Sequence, residues 1–242
     1  MQAIILAGGL GTRLRSVVNN MPKVLAPVGG RPFLAWVLDG LVLDGFKVIC
    51  LATGYLGNKI FNEFGYSHHC GSQSAAILYS HEATPLGTGG AIRLALHQLS
   101  EKPTFVLNGD TFLRPDWSRM CNLYAKQKSH LIISVRHVED VSRYGEIEIN
   151  EGVVVSFREK QRIGSGFINT GVYLLDHSTL DVIPETLSTF SFEQDVIGAH
   201  LHQLTPRAFV TDSPFLDIGT PEDFLNAHEF LMAHFRVHEK FW

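Results

Sequence analysis

Met1-Gln2-Ala3-Ile4-Ile5-Leu6-Ala7-Gly8-Gly9-Leu10-Gly11-Thr12-Arg13-Leu14 is the stretch on which the fold turns. Ala3 to Ala7 is a short apolar run, and two glycines stop it, so it reads as a strand feeding a glycine turn. Without a basic n-region, the stretch is expected to be a first strand rather than a signal peptide. Glycines let backbone amides approach phosphate oxygens, and a following helix N-terminus adds partial positive charge. A P-loop needs GxxxxGK[ST], and no Lys-Ser or Lys-Thr pair follows here. A dinucleotide fingerprint needs GxGxxG. Gly9 and Gly11 fit it, but Leu14 stands in the third glycine position and the nearest acidic residue is Asp39. A plain turn that needs glycine torsions stays open, although it leaves Arg13 unexplained.

Outward from this stretch, strand and helix signals alternate. Pro32 to Leu43 carries Phe33, Val37 and Leu41 at i, i+4 and i+8, the stripe of a buried helix face. Val48–Ala52, Ala76–Ser80 and Phe105–Leu107 are further apolar runs, and Gly90 to Leu99 suits a helix. Continuous apolar runs separated by helices indicate a parallel sheet buried on both faces, which binds ligands beyond the carboxyl ends of its strands. The second half is more mixed. Leu131 to Val135 and Val172 to Leu175 read as strands. Glu146–Ile149 and Val153–Phe157, split by Asn150-Glu151-Gly152, read as an antiparallel hairpin. Near the end, Thr220 suits an N-cap, Pro221 a first helical residue, and Thr220-x-x-Asp223 a capping box.

The bulk numbers are ordinary for a soluble globular protein. The chain has 242 residues, 45% hydrophobic and 18% charged, room for one large domain or two small ones with a core that needs no staples. The net charge is −4, from 20 Lys+Arg against 24 Asp+Glu. No basic run exceeds two residues, which disfavours nucleic acid as a partner. Cys50, Cys70 and Cys121 are odd in number and outside CxxC pairs, which fits a reducing compartment. No apolar run of about 18 residues occurs, so no membrane span is expected. The expected location is the cytoplasm. His68-His69-Cys70 has no partner at zinc-ligand spacing.

A second cation stands in Pro22-Lys23-Val24-Leu25-Ala26-Pro27, where two prolines stiffen the backbone. Together Arg13 and Lys23 suggest a cradle for a polyphosphate, with amides on the oxygens and two cations on a leaving pyrophosphate. Gly8-Gly9-x-Gly11-Thr12-Arg13-Leu14 followed by Pro22-Lys23-x-Leu25-x-Pro27 resembles the signature of sugar-1-phosphate nucleotidyltransferases. The resemblance continues to Gly219-Thr220-Pro221-Glu222-Asp223.

That resemblance implies a Rossmann-like, doubly wound, mostly parallel sheet with a small antiparallel sugar-binding insertion, and one catalytic domain over residues 1–242. It implies a nucleoside triphosphate and a sugar 1-phosphate as substrates, Mg²⁺ as cofactor, and no membrane partner. Leu6, Gly8, Gly9, Gly11, Thr12, Arg13 and Lys23 match the nucleotide-binding segment. Pro85-Leu86-Gly87-Thr88-Gly89-Gly90-Ala91, preceded by Glu82, resembles the loop over the base. Many family members have alanine where Gly89 stands. Asn108-Gly109-Asp110 and Asp217-Ile218-Gly219 match the metal-binding aspartates. Gly145, Glu159, Lys160, Asn169 and Thr170 resemble sugar and phosphate contacts. Arg13, Lys23, Asp110 and Asp217 are the implied catalytic set.

The chemistry suits these residue types. The nucleophile is already an anionic phosphate oxygen and needs no base. Repulsion between two anions must be overcome, which a hard cation on carboxylates can do. Asp110 and Asp217 lie 107 residues apart, so spacing alone does not bring them together. Within the family the short chain and these motifs look most like guanylyltransferases acting on D-glycero-D-manno-heptose 1-phosphate. N-acetylmuramate 1-phosphate uridylyltransferases and hexose 1-phosphate nucleotidyltransferases stand next. A catalytically silent nucleotide-sugar-binding regulator is the alternative of another class. The last motif ends 19 residues before Trp242, so a catalytic core with little attached is expected, as monomer or homodimer.

Overall fold

The computed structural model describes residues 1–9, 21–100, 103–127, 129–158 and 164–235. In chain order the first strands are β1 (Gln2–Leu6), β2 (Pro27–Val28), β3 (Arg31–Pro32), β4 (Val48–Thr53), β5 (Ser67–Cys70), β6 (Gln73–His81) and β7 (Thr104–Asn108). They are followed by β8 (Thr111–Leu113), β9 (Leu131–Val138), β10 (Glu146–Asn150), β11 (Val153–Arg158), β12 (Gly166–Leu175), β13 (Arg207–Val210) and β14 (Phe215–Asp217). The helices are α1 (Phe33–Leu43), α2 (Gly57–Phe64), α3 (Gly87–Leu96), α4 (Trp117–Lys126), α5 (Leu201–Leu204) and α6 (Pro221–Phe235). The chain forms two compact units. The first comprises Met1–Thr84, Asn108–Arg114 and Pro214–Trp242, the second Pro85–Leu107 and Pro115–Ser213.

The first unit carries the parallel sheet expected from the apolar runs. β1 pairs with β4 and β4 with β6, all parallel, and β5 is added antiparallel to β6. Ala3, Ile4, Ile5, Ile49, Cys50 and Leu51 are fully buried, as strands covered on both faces must be. Phe33, Val37 and Leu41 predict one buried stripe on α1. The helix is buried on nearly every side, because its sequence FLAWVLDGLVL is apolar around the whole helix. Its one carboxylate, Asp39, is neutralised in place by Arg31 Nη2 at 2.7 Å, with His68 Nε2 at 2.6 Å. That occupies the first histidine of the His-His-Cys run. α6 starts as anticipated, with the Thr220 hydroxyl accepting from Asp223 N at 3.2 Å. Its last residue, Phe235, meets Trp36 edge-on with centroids 5.4 Å apart.

The second unit is the mixed half. β12 is antiparallel to β7 and β9, β13 is parallel to β9, and β10 and β11 form the expected antiparallel hairpin. β12 is longer than its apolar stretch and carries an irregularity. Its register with β9 breaks between Asn169 and Tyr173, with Gly171 at φ +72°. Such bulges re-aim side chains and are common beside active sites. α3 begins at Gly87, three residues before the expected start, so the glycine segment is the first turn of a helix and not a free loop. Residues Phe192–Gly198 form a π-helix, a widening of the helical turn often kept for function. All three cysteines are free, and among the described residues no helix is long and apolar enough to cross a membrane.

Candidate active site

In the first unit the two aspartates meet. Asp110 directly follows Gly109, whose amide donates to Leu6 O at 3.0 Å at the end of β1. A Cβ at Gly109 would fall 2.7 Å from that carbonyl, so only glycine permits the approach. β8 then pairs antiparallel with β14, setting Thr111 opposite Asp217, and Ile218 N donates to Asp110 O at 3.0 Å. A two-stranded ladder thus closes the gap that sequence spacing left open. Gly219 completes the fit, since a Cβ there would meet Asp217 Oδ1 at 2.9 Å.

Lys23 reaches the same place. Pro22 at ψ 139° leads into the short 3₁₀ turn Lys23–Leu25, whose buried Val24 packs against Gly109. The ammonium Nζ lies 2.6 Å from Asp110 Oδ2 and 4.0 Å from Asp217 Oδ1. Asp217 Oδ1 is a buried oxygen with no hydrogen-bond partner among the described residues. Leaving such an acceptor bare costs about 1–3 kcal/mol, more for a charged group. Burial, then the neighbouring Asp110 charge, push the Asp217 carboxyl above its ordinary value, while Lys23 opposes the shift. The cluster is therefore poised for another cation. Among the described residues no group of three or more His, Cys, Asp and Glu side chains could hold a metal alone. A magnesium ion suits what is present, because it takes one or two carboxylates and fills its other positions with water and phosphate oxygens.

Gly8 and Gly9 follow β1 as expected. Glu82 lies against Gly8, where an added Cβ would come within 2.9 Å of its Oε1. Leu6 ends β1, and Asn108 ends β7. Gly11, Thr12, Arg13, Glu159 and Lys160 lie outside the described residues.

In the second unit Pro85, Gly87 and Thr88 sit at the start of α3. The bulge of β12 presents Asn169, whose backbone N–H donates to Gly145 O at 3.4 Å and whose side-chain Oδ1 accepts from Gly171 N at 3.0 Å. Gly145 and Asn169 are thus brought together. Thr170 is 1% exposed, and its hydroxyl donates to Ser134 O at 3.0 Å. Sequence reasoning gave Glu193 no role, yet it accepts from Thr88 Oγ1 at 2.6 Å and from Tyr173 Oη at 3.3 Å. Burial, then the Glu193 charge, raise the Tyr173 phenol well above its usual value, which keeps it a proton donor. A signal was present. Ser191-x-x-Gln194 is a capping-box pattern, and Gln194 N does donate to Ser191 Oγ at 3.2 Å.

The comparisons with known proteins agree with this geometry. The nucleotidyl transferase family model matches residues 2–234. The chain is 38% identical over 235 residues to the D-glycero-alpha-D-manno-heptose 1-phosphate guanylyltransferase of Aneurinibacillus thermoaerophilus, covering 97% of this chain and 100% of that protein. The enzyme of the same name from Campylobacter jejuni is 38% identical over 227 residues, covering 93% and 97%. A crystal structure of HddC from Yersinia pseudotuberculosis complexed with GMP-PN superposes with a TM-score of 0.80 at 37% identity, covering 94% of this chain and 98% of that one. The carboxylate pair, its lysine and these matches make the chain an enzyme of the nucleotidyl transferase family.

Proposed function

We propose that the chain couples GTP to D-glycero-α-D-manno-heptose 1-phosphate, releasing pyrophosphate and forming GDP-heptose, with the whole of residues 1–242 acting as one catalytic domain. The observation that carries the reading is the Lys23–Asp110–Asp217 cluster, with its orphaned carboxylate oxygen. Two full-length relatives that bear the heptose guanylyltransferase name supply the substrate class.

An oxygen of the sugar phosphate attacks the α-phosphorus of the triphosphate. The bond from that phosphorus to the bridging oxygen breaks, and pyrophosphate leaves with the electron pair. Asp110 and Asp217 would hold Mg²⁺, which when bound offsets phosphate charge and polarises the reacting phosphoryl group. The Lys23 ammonium stays fixed by Asp110 and adds a positive charge where anionic oxygens gather. Gly8 and Gly9, with Gly11, Thr12 and Arg13 of the same motif, hold the triphosphate through amides and a guanidinium. Leu6, Glu82, Pro85, Gly87, Thr88 and Asn108 complete the nucleotide contacts. Gly145, Glu159, Lys160 and Asn169 receive the sugar phosphate, while Thr170, buried and bonded to Ser134 O, holds the strand next to Asn169.

The test is pyrophosphate release with Mg²⁺, each of the four common nucleoside triphosphates and a panel of sugar 1-phosphates. GTP with the heptose phosphate is expected to give the highest kcat/KM. UTP outperforming GTP overturns the guanylyl reading. N-acetylmuramate or hexose 1-phosphate outperforming the heptose overturns the sugar. Silence across the panel points to a nucleotide-sugar-binding regulator.

A further inference from the structure

The geometry points to Glu193 as a positioning residue whose single carboxylate sets both the glycine turn of α3 and the Asn169 bulge of β12. It rests on the reading that the first segment holds the nucleotide and the second the sugar.

Two kinds of contact fix the glycine turn. The first is backbone packing against residues 188–190. Gly89 N and Gly90 N donate to Phe190 O at 3.0 and 3.4 Å, and Phe190 N donates to Leu86 O at 3.0 Å. A Cβ at Gly87 would sit 2.5 Å from Phe190 O, and one at Gly90 would sit 2.4 Å from Ser188 O. The second is Thr88. Its hydroxyl accepts from Phe192 N at 2.8 Å and gives its own proton to Glu193 Oε2 at 2.6 Å. The rotor therefore has one setting, and Glu193 defines it. Ser191 Oγ reaches the same oxygen at 3.2 Å.

The other carboxylate oxygen faces the bulge. Glu193 Oε1 accepts from Tyr173 Oη at 3.3 Å, and Tyr173 Oη accepts from Asn169 Nδ2 at 2.6 Å. Tyr173 is fully buried, so bulk solvent does not compete for its hydroxyl. With its proton directed at Glu193, its lone pair must face Asn169. This orients the Asn169 amide, and Asn169 Oδ1 is held by Gly171 N at 3.0 Å. The chain Thr88–Glu193–Tyr173–Asn169 thus runs without a break. The π-helix raises Glu193 where an α-helical turn would place it differently. Its wide turn is seen in the bonds from Val196 N to Ser191 O at 3.3 Å and from Ala199 N to Gln194 O at 3.0 Å.

The experiment compares Thr88→Val, Tyr173→Phe, Glu193→Gln and Glu193→Ala in the full chain. KM is measured separately for GTP and for the heptose phosphate, and hydrogen exchange is followed at residues 87–90 and 169–171. Loss of one charge-assisted hydrogen bond corresponds to a change of about 10-fold. Thr88→Val is expected to raise the nucleotide KM by about that factor and leave the sugar-phosphate KM near wild type. Tyr173→Phe is expected to do the reverse. Glu193→Ala is expected to raise both and to speed exchange in both segments. Glu193→Gln, which keeps the shape and one acceptor oxygen, is expected to fall between. A lower kcat at unchanged KM values, with exchange faster everywhere, means a merely structural role and overturns the proposal. If Glu193→Ala does not fold, Glu193→Gln with wild-type KM values and wild-type exchange in both segments overturns it equally. If the wild type is silent with GTP and the heptose phosphate, the substrate reading fails. The exchange arm still decides: faster exchange confined to the two segments supports the linkage, and its absence refutes it.

Discussion

Gly89 is expected to resist the smallest possible side chain. An added Cβ would lie 2.3 Å from both Cδ2 and Cε2 of the Phe190 ring and 3.1 Å from Phe190 O. Two effects of Gly89→Ala oppose each other. Alanine within a helix gains about 0.5–1 kcal/mol over glycine. Overpacking a filled interior costs about 1–3 kcal/mol. The second wins if the ring cannot swing away, and the structure argues that it cannot. Phe190 is 3% exposed. The Arg93 guanidinium lies 4.5 Å from its centroid and is itself tied to Leu187 O at 2.8 Å and Ile183 O at 3.1 Å. The net expectation is a loss of about 1–2 kcal/mol, a fall in Tm of roughly 2–8 °C for a chain of this size. Phe190→Ala removes the clashing ring atoms. In that background Gly89→Ala should become neutral or stabilising, because only the helix-propensity gain remains. Thermal melts of the two single variants and the double variant form the cycle. A Gly89→Ala variant as stable as wild type, or a double variant whose loss equals the sum of the single losses, would refute the argument.

The remaining expectations concern the first unit. Asp217 has a raised carboxyl value, so folding works against its ionisation. The resulting cost is absent below the ordinary value of 3.8, grows as pH rises through the raised value, and is constant above it. Metal-free Asp217→Asn should therefore be more stable than wild type at pH 7 by denaturant midpoint, with the difference shrinking toward pH 4; a less stable variant at pH 7 contradicts this. Mg²⁺ should raise the wild-type midpoint more than that of Asp217→Asn. Lys23→Ala should lower turnover by about 100-fold with the fold intact by circular dichroism, whereas unchanged kinetics would make Lys23 a surface charge. Asp39→Ala, which strands Arg31 and His68, should cost about 2–4 kcal/mol in denaturant melts while leaving kcat/KM of the folded protein near wild type.

Much of this was legible in the chain itself. β1, β4 and β6 announced themselves because strands buried on both faces are apolar throughout. Thr220 and Pro221 marked α6 because caps are local chemistry. The meeting of Asp110 with Asp217 was not legible. It depends on the short ladder of β8 and β14, whose three-residue strands carry no periodicity. The start of α3 was misplaced for a related reason: Gly87 and Gly89 read as loop by propensity, and packing against Phe190 overrides it. The role of Glu193 was hidden because its partners Thr88 and Tyr173 stand 105 and 20 residues away.

The most direct measurement of the central claim is Mg²⁺-dependent pyrophosphate release from GTP and D-glycero-α-D-manno-heptose 1-phosphate by wild type and by Asp110→Asn. The account predicts sustained release by the wild type, abolished by chelator, and a rate at least about 100-fold lower in the variant. Near-normal turnover of Asp110→Asn at limiting Mg²⁺ would contradict the assignment of the Lys23–Asp110–Asp217 cluster as the reaction centre.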